Sequence, residues 1–520
     1  MKKIYPILSC LLLISIGQAE AQSWKQKLQD MKDRIEQKVD RQQKEVDARY
    51  AEHLRRVWDK AEFLEAPEPY SIPKPDQSPI YDPSFDMKFG DEQFDFDLFP
   101  TNPAAAKDRP DFSVIAPRPD PSPKPMPDID EPYNELPTEV PAGDFRAELS
   151  RDQLQRLNRQ ADVDYFGSRF PLYYNAAISF DFRGKLNERL IGDAWSQLDN
   201  GEYELLLYQF VRQANAQNLN DWGYCQLLNQ AAKSIYPGDI NAQTMFSLFF
   251  LSKSGYVVGV SYHADQLYLM FPSLQTIYGT TFLRGQDYKY YIIDLNGGSP
   301  QLNEGKVFNK TYPNADRIIN FRFFQTPKLQ ERALTRNLSF EFEGNSYNIP
   351  VKVNKNLVNF YQTYPFTDLD VQLTTPLSDM AYRSLIPPLR RAVAGMSETK
   401  AADLLLKFSQ TAFEYETDEA QFGQENYLFA EETLYYPASD CEDRAVLFAY
   451  LVQEILNLDV VGLIFPGHAA TAVRFSAEYA GDFINYKGAK YLICDPTYID
   501  ARVGACMPEV RDADIKVVDF

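Results

Sequence analysis

The sequence predicts an α+β protein with several domains, on the basis of three observations. Segments with apolar residues at helical spacing and segments with apolar residues at strand spacing occur close together in the chain. Strand-like runs separated by Gly and Asn turns concentrate between residues 292 and 374. The globular sequence that resumes near residue 143 is long enough for two or three domains. We therefore expect α/β units at 143–300 and 376–520, with a β-sandwich-like domain at 301–375 between them.

The chain begins with a pattern that is typical of a secretory signal. Lys2 and Lys3 precede an apolar run that ends at Ile16, and the small-x-small sequence Ala19-Glu20-Ala21 follows. We predict cleavage after residue 21 and a periplasmic or secreted protein. A lipoprotein modified at Cys10 is the alternative, which the short apolar core before that cysteine disfavours. No later stretch approaches the roughly 18 apolar residues of a spanning helix, so we predict no integral membrane segment.

The charge and the cysteines narrow the choice of partners and cofactors. Removal of residues 1–21 takes away two lysines and one glutamate and moves the formal charge from −20 to −21. So acidic a chain disfavours nucleic acid and anionic membranes and favours basic or neutral protein or peptide substrates. Neither a CxxC pair nor an HExxH helix occurs, so we predict no metal and no cofactor. An oxidising compartment would permit one disulfide, and its existence stays open for Cys225, Cys494 and Cys506.

Two segments precede the globular part. Residues 22–65 are highly charged and lack Gly and Pro, and apolar residues such as Leu28, Val39 and Tyr50 recur eleven apart, which predicts one long, nearly straight helix. A helix this polar needs a partner, either its own copy through residues 24–65 or the body of the protein. Residues 66–142 hold 18 of the 34 prolines and predict a semi-rigid linker. Whether this linker inhibits or only spaces the domains stays open.

The residues with catalytic potential lie between Tyr435 and Tyr498. Cys441 follows a proline and falls in the first turn of a predicted helix, where the helix dipole stabilises a thiolate. The adjacent Glu442 and Asp443 oppose that effect, so an imidazolium nearby would be needed. Taken alone, a cysteine in such a helix is most often a small buried hydrophobe.

A histidine and an aspartate complete the set. His468 begins a predicted strand directly after Pro466-Gly467, and Asp495 ends another strand that follows a hairpin turn at residues 487–489. Each alone has a plain structural explanation, as a satisfied polar group or a turn residue. A thiol, an imidazole and a carboxylate together are the nucleophile, base and orienting group of an acyl-transfer site.

The motifs around these residues resemble those of the transglutaminase-like superfamily, whose papain-like fold carries a Cys-His-Asp triad. The specific parts are Ser-Asp-Cys-Glu-Asp-Arg-Ala at 439–445, Gly-His at 467–468 and Cys-Asp-Pro-Thr-Tyr at 494–498, and the resemblance covers about residues 376–520. It implies that Cys441 is the nucleophile, His468 the general base and Asp495 its orienter. An aromatic residue often follows the histidine of that family, whereas Ala469-Ala470 follows it here, which leaves the shape of the acyl pocket open.

The expected activity is attack of the thiolate on a peptide or protein amide. The N–H of Cys441 would help to hold the oxyanion, and Gln421 and Tyr415 are candidate oxyanion or substrate contacts. Water would resolve the acyl-enzyme in a peptidase or amidase, and an amine would do so in a transglutaminase. The resemblance to this superfamily favours hydrolysis. The alternative is a non-catalytic scaffold or binding protein that uses the same fold.

Residues 143–300 contain a weaker echo of the catalytic region. Ile235-Tyr236-Pro237 parallels Tyr435-Tyr436-Pro437, and in both places a helix and a Val-Val-Gly strand follow. Ile240 takes the place of the nucleophile, and His263 falls close to the place of His468. We therefore expect a degenerate copy without thiol chemistry, against the alternative that any mixed α/β domain contains a helix followed by a strand.

Overall fold

The structure is a computed structural model that describes residues 41–69, 74–81, 149–182, 185–285, 287–308, 310–313 and 315–520. The predicted signal segment 1–21, the start of the predicted helix and most of the predicted linker, residues 82–142, lie outside the described residues. The described parts of the chain form an α+β fold with two helix-and-sheet units. Among the helices of those parts, none combines the length and the apolar character that crossing a membrane requires.

The first unit packs six helices against an antiparallel sheet. Its helices are α1 (41–54), α2 (Arg151–Arg156), α3 (Glu188–Asp199), α4 (Tyr203–Ala216), α5 (Asp221–Ile235) and α6 (Ile240–Lys253). Its strands are β1 (Asp59–Glu62), β2 (Leu64–Glu65), the hairpin β3 (Arg159–Tyr165) and β4 (Ser168–Tyr174), β5 (Gly259–His263), β6 (Gln266–Phe271), β7 (Thr281–Arg284), β8 (Lys289–Ile293) and β9 (Glu304–Phe308). Seven of them pair in the order β1-β9-β5-β6-β8-β7-β2. Helix α6 is buried on almost every side, as its apolar sequence requires.

The predicted long helix ends earlier than expected. Helix α1 stops at residue 54, where the indole N–H of Trp58 donates to the carbonyl of Leu54 at 2.6 Å, and the chain continues as β1 and β2 at the two edges of the sheet. The prediction of helix up to residue 65 is therefore wrong. Tyr50, Ala51 and Leu54 are buried in the core of the first unit, so the partner of this part of the helix is the body of the protein.

The expected β-sandwich at 301–375 does not form. Strand β9 belongs to the first sheet, and β10 (Ala333–Phe342) and β11 (Asn345–Asn354) form a hairpin whose turn has positive φ at Glu343 and Gly344. Two strands alone bury too little apolar surface to be stable, and this hairpin packs on two helices of the second unit. Near the end of the 292–374 region, in which strands were expected, Asp370–Leu373 instead form a short helix.

The second unit contains the candidate site. Its helices are α7 (Lys355–Tyr361), α8 (Asp370–Leu373), α9 (Asp379–Val393), α10 (Glu398–Thr411), α11 (Asp418–Phe422), α12 (Ala430–Tyr435) and α13 (Cys441–Leu451). Its strands are β12 (Asp459–Phe465), β13 (His468–Arg474), β14 (Phe483–Tyr486), β15 (Ala489–Cys494) and β16 (Lys516–Val518). They form an antiparallel sheet in the order β14-β15-β13-β12-β16, and α13 packs on β13.

The two units share a strand order. The pairing β7-β8-β6-β5-β9 in the first sheet has the same sequence of connections as β14-β15-β13-β12-β16 in the second. The hairpin in each follows a buried helix, α6 or α13, whose N-cap is an aspartate, Asp239 or Asp440. This agreement of topology goes beyond a helix followed by a strand, which was the plain alternative to a repeat.

The correspondence also fixes which residues stand in equivalent places. Ile240 begins α6 as Cys441 begins α13, in line with the expectation from sequence. The strand start that His468 occupies in the second unit belongs to Gln266 in the first. His263 ends the preceding strand, so it lies close to that place, as expected, but does not occupy it.

Candidate active site

Cys441 is the first residue of α13 and is fully buried. Its thiol donates a hydrogen bond to Oε2 of Glu442 at 3.1 Å. Burial first, and then the carboxylates of Glu442 and Asp440, raise the pKa of the Cys441 thiol well above its usual value. In this arrangement the cysteine is a neutral thiol, because burial and the two acidic neighbours disfavour the thiolate.

His468 and Asp495 form a buried pair. Nε2 of His468 lies 2.7 Å from Oδ2 of Asp495, and both side chains are only 2% exposed. The other carboxylate oxygen of Asp495 accepts the backbone N–H groups of Thr497 at 2.9 Å and Tyr498 at 3.0 Å. These bonds fix the carboxylate, which in turn fixes the imidazole, as the orienting residue of a catalytic triad does.

The remaining nitrogen of the imidazole is available for chemistry. Nδ1 of His468 is buried and has no hydrogen-bond partner in the described ranges. The ring is held by the tight turn at Pro466-Gly467, where Gly467 has φ +73°, and by stacking on Phe465 at a centroid distance of 6.0 Å. A buried, oriented imidazole with one unused nitrogen is the form that a general base requires.

The structure brings the three predicted residues to adjoining elements but completes only one of the two expected bonds. Helix α13, which starts at Cys441, packs on β13, which starts at His468, and β13 pairs with β15, which ends directly before Asp495. The histidine–aspartate bond is present. Within the described ranges no hydrogen bond joins Cys441 to His468, and the thiol is bonded to Glu442.

A buried arginine and a glutamine tie these elements together. The guanidinium of Arg444 donates to three backbone carbonyls at the end of α10 and just after it, those of Gln410 (3.0 Å), Phe413 (3.1 Å) and Glu414 (3.0 Å). The amide of Gln410 donates to three carbonyls of the loop that begins at Asp495, those of Asp495 (3.1 Å), Tyr498 (2.8 Å) and Ala501 (3.0 Å). The start of α13 and the aspartate loop are therefore anchored on the same helix end.

An acidic pocket adjoins the cysteine, and it contains a lysine from the predicted linker. We use the name acidic pocket for Asp418, Glu425, Asp440 and Glu442. Nζ of Lys74 lies 3.0 Å from Asp418, 2.9 Å from Glu425 and 2.8 Å from Asp440, and it also contacts Glu442. Burial disfavours the ammonium, but the four carboxylates outweigh this and raise the pKa of Lys74 well above its usual value.

Three of the pocket carboxylates are also spaced as metal ligands would be. Oxygens of Asp418, Asp440 and Glu442 lie within 4.8 Å of one another, a feature that the sequence reasoning did not find. The ammonium of Lys74 contacts all three. The pocket therefore holds a positive charge that belongs to the chain itself.

The two candidate substrate contacts have different outcomes. The hydroxyl of Tyr415 donates to the carbonyl of Pro75 at 2.8 Å, and its ring lies 5.5 Å from the guanidinium carbon of Arg444, so Tyr415 belongs to the site but is already engaged. Gln421 lies in α11, and its side-chain oxygen has no hydrogen-bond partner in the described part of the chain. No hydrogen bond links Gln421 to Cys441 there.

The cysteines settle the open question of a disulfide for this structure. Cys225, Cys441, Cys494 and Cys506 are all buried and all free. Cys494 lies within β15, as predicted, and burial raises its thiol pKa well above the usual value. Cys225, Cys494 and Cys506 are thus buried core residues, and none of them forms a disulfide within the described part of the chain.

Comparisons of the chain with protein-family models, with curated proteins and with solved structures found no match, so the chain has no relative in them from which a function could be inferred. A buried histidine–aspartate pair beside a cysteine at a helix start is an arrangement suited to acyl transfer through a thiol.

Proposed function

We propose that residues 376–520 form a thiol-dependent acyl-transfer enzyme of the kind found in the transglutaminase-like superfamily. Cys441 is the nucleophile, His468 the general base and Asp495 its orienter. The observation that supports this most strongly is the 2.7 Å bond between His468 and Asp495, which leaves Nδ1 of the imidazole without a partner. A histidine that served only the core would have no need for an unused buried nitrogen.

In the proposed reaction, Nδ1 of His468 takes the proton of the Cys441 thiol, and the thiolate attacks the carbonyl carbon of a peptide or protein amide. The C–S bond forms as the carbonyl oxygen becomes an oxyanion, which the N–H of Cys441 in the first turn of α13 helps to stabilise. The imidazolium, stabilised by Asp495, then gives its proton to the departing amine as the C–N bond breaks. Water attacks the thioester in the same way and releases the acid.

The reaction requires one change in the site. The thiol must exchange its hydrogen bond to Glu442 for one to Nδ1 of His468, since a neutral thiol is a poor nucleophile. Transfer of the acyl group to an amine instead of water would make the enzyme a transglutaminase. We favour hydrolysis of peptide or protein amides, in a periplasmic or secreted setting.

We further propose that the first unit is a degenerate copy of the second. The support is the shared strand order together with the residues at equivalent places, which are Ile240, Gln266 and Asp294 for Cys441, His468 and Asp495. Only the carboxylate is retained. The first unit then contributes binding or packing and no thiol chemistry.

A specific observation favours the scaffold function as the second candidate. Cys441 is fully buried and its thiol is held by a carboxylate, which a protein without thiol chemistry would tolerate. Under that alternative both units serve as surfaces, and His468 and Asp495 are a structural pair.

An acyl-enzyme experiment separates the two functions. The mature chain is compared with its Lys74→Ala variant, which removes the lysine that contacts Glu442 beside the thiol. Both are mixed with a p-nitrophenyl ester, and nitrophenol release and intact mass are followed. The proposal expects a burst of nitrophenol with the acyl group on Cys441, lost in Cys441→Ala and slowed in His468→Ala. His263→Ala, an exposed histidine of the first unit, is the matched control and should behave like the parent. Equal labelling of Cys441 with and without His468 would support the scaffold instead.

A further inference from the structure

Residues 74–81 lie across the candidate active site. At one end, Lys74 contacts Glu442, the same carboxylate that accepts the hydrogen bond of the Cys441 thiol. The carbonyl of the next residue, Pro75, accepts the hydroxyl of Tyr415 at 2.8 Å. This end of the segment is therefore one side chain away from the proposed nucleophile.

The other end of the segment pairs with the loop that follows Asp495. The hydroxyl of Ser78 donates to the carbonyl of Thr497 at 2.6 Å. The N–H of Ile499 donates to the carbonyl of Pro79 at 2.8 Å, and the N–H of Tyr81 donates to the carbonyl of Ile499 at 2.7 Å. These backbone bonds form a short parallel pairing, which is how an extended peptide adds to an exposed edge.

The segment makes contacts typical of a bound peptide and not of a core strand. Its lysine side chain is 3% exposed, whereas Ile80 is 73% exposed and Asp76 and Gln77 are also exposed. The buried lysine, the Ser78 hydroxyl, the Tyr81 ring, which lies 5.5 Å from the ring of Tyr498, and main-chain pairing thus hold the segment, while Ile80 contributes little. The partner loop, at 497–499, begins two residues after the orienting Asp495.

The carboxylates of the acidic pocket favour a positively charged side chain. Asp418, Asp440 and Glu442 are buried together, and Oδ1 of Asp440 has no hydrogen-bond partner within the described residues. Buried carboxylates in such number need a cation among them, because unpaired buried charges are strongly destabilising. An ammonium carries three N–H donors, enough to serve several carboxylates at once.

We propose that the acidic pocket and the 497–499 loop form a peptide-binding cleft that takes the lysine side chain of an extended peptide, and that residues 74–81 fill this cleft within the same chain. The claim that the cleft binds substrate rests on the proposed function. The segment blocks the route to Cys441, so the chain as described is self-inhibited. A basic peptide must displace the segment to reach the thiol, and the displaced Lys74 frees Glu442 as well.

The cleft is tested by binding, without any use of Cys441 chemistry. A fluorescent peptide with the sequence of residues 74–81, KPDQSPIY, is titrated by anisotropy into the mature chain and into Lys74→Ala. A tethered segment competes at a millimolar effective concentration, so loss of its anchor should tighten binding of the added peptide at least about tenfold. A peptide with alanine in place of its lysine should bind at least about tenfold more weakly to the same variant.

Two further variants test whether tighter binding comes from release of the segment and not from the loss of Lys74 alone. Tyr81→Pro removes an N–H that pairs with Ile499 while it leaves the acidic pocket and Lys74 intact, and it should also tighten binding of the added peptide. Gln77→Ala changes an exposed side chain of the same segment and should bind like the wild type. Equal affinities in the wild type, Lys74→Ala and Tyr81→Pro, or equal binding of the lysine-free peptide, would overturn the inference.

The failure of this inference and that of the proposed function are distinguishable. Lysine-dependent peptide binding in Lys74→Ala without any His468-dependent acylation of Cys441 would refute the enzyme and retain the cleft. His468-dependent acylation with equal rates in the wild type, Lys74→Ala and Tyr81→Pro would retain the enzyme and refute occupation of the cleft by residues 74–81.

Discussion

Replacement of Lys74 by alanine should destabilise the protein in a strongly pH-dependent way. The ammonium is the only cation within 4.0 Å of Asp418, Glu425 and Asp440 among the described residues. Removing one partner from a buried ion pair costs about 3–5 kcal/mol, because the other charge stays buried and unpaired. We expect a loss of this size in the free energy of unfolding at pH 8.

The pH dependence follows from the pocket carboxyls. Burial raises the pKa of Glu425 to about 7 even with Lys74 present, and it raises the pKa values of Asp418 and Glu442 well above their usual range. A carboxyl whose pKa is raised by folding binds its proton more tightly in the folded state, so stability is greatest below the unfolded pKa of about 4.3 and falls as the pH rises. The ammonium of Lys74 lowers the pKa of each of these carboxyls, so its loss should raise their pKa values further. The deficit should therefore be small near pH 5 and grow between pH 5 and 8.

Urea unfolding of the wild type and Lys74→Ala at several pH values measures this. Lys407→Ala is the matched control, because Lys407 pairs with Asp500 at the surface and such a pair contributes about 0–1 kcal/mol. A deficit for Lys74→Ala that does not change between pH 5 and 8, or one no larger than that of Lys407→Ala, would refute the electrostatic reasoning.

Three further predictions concern the elements that build the site. Asp495→Asn should slow acylation of Cys441 by at least about a hundredfold while His468 stays in place, measured by nitrophenol release, because the asparagine cannot stabilise the imidazolium. Arg444→Met should lower the free energy of unfolding by about 3 kcal/mol or more in urea, since two buried carbonyls and one part-buried carbonyl lose their donor at roughly 1–3 kcal/mol each. Gly467→Ala should cost about 1–2 kcal/mol in thermal unfolding, because φ there is +73°; an unchanged melting temperature would contradict the strained turn.

The sequence predicted the local structure around Cys441, His468 and Asp495 because each residue lies beside strong local signals. Pro437 and Asp440 mark the start of α13, Pro466-Gly467 marks the start of β13, and Asp495 follows an apolar strand. These features depend on residues within a few positions, which single-sequence patterns describe well.

The parts that could not be predicted depend on contacts between distant segments. Lys74 meets Asp418 and Glu442 across 344 and 368 residues, and nothing near it in the Pro-rich sequence indicates an ion pair. The helix predicted up to residue 65 gives way to strands because β9 and β7 offer pairing edges that are far away in the chain. Likewise, the strand patterns of 301–375 do not say which sheet or helix each strand joins.

The most direct test of the account is the rate of Cys441 alkylation as a function of pH. The Tyr81→Pro chain, which retains Lys74, and its Tyr81→Pro/His468→Ala counterpart are treated with iodoacetamide, and Cys441 is followed by peptide mapping. The alkylation rate of an unperturbed thiol rises with a midpoint at about pH 8.5, whereas a cysteine paired with imidazolium reacts well below neutral pH. We predict reaction at low pH that disappears when His468 is replaced. Ordinary thiol behaviour in both chains would contradict the triad.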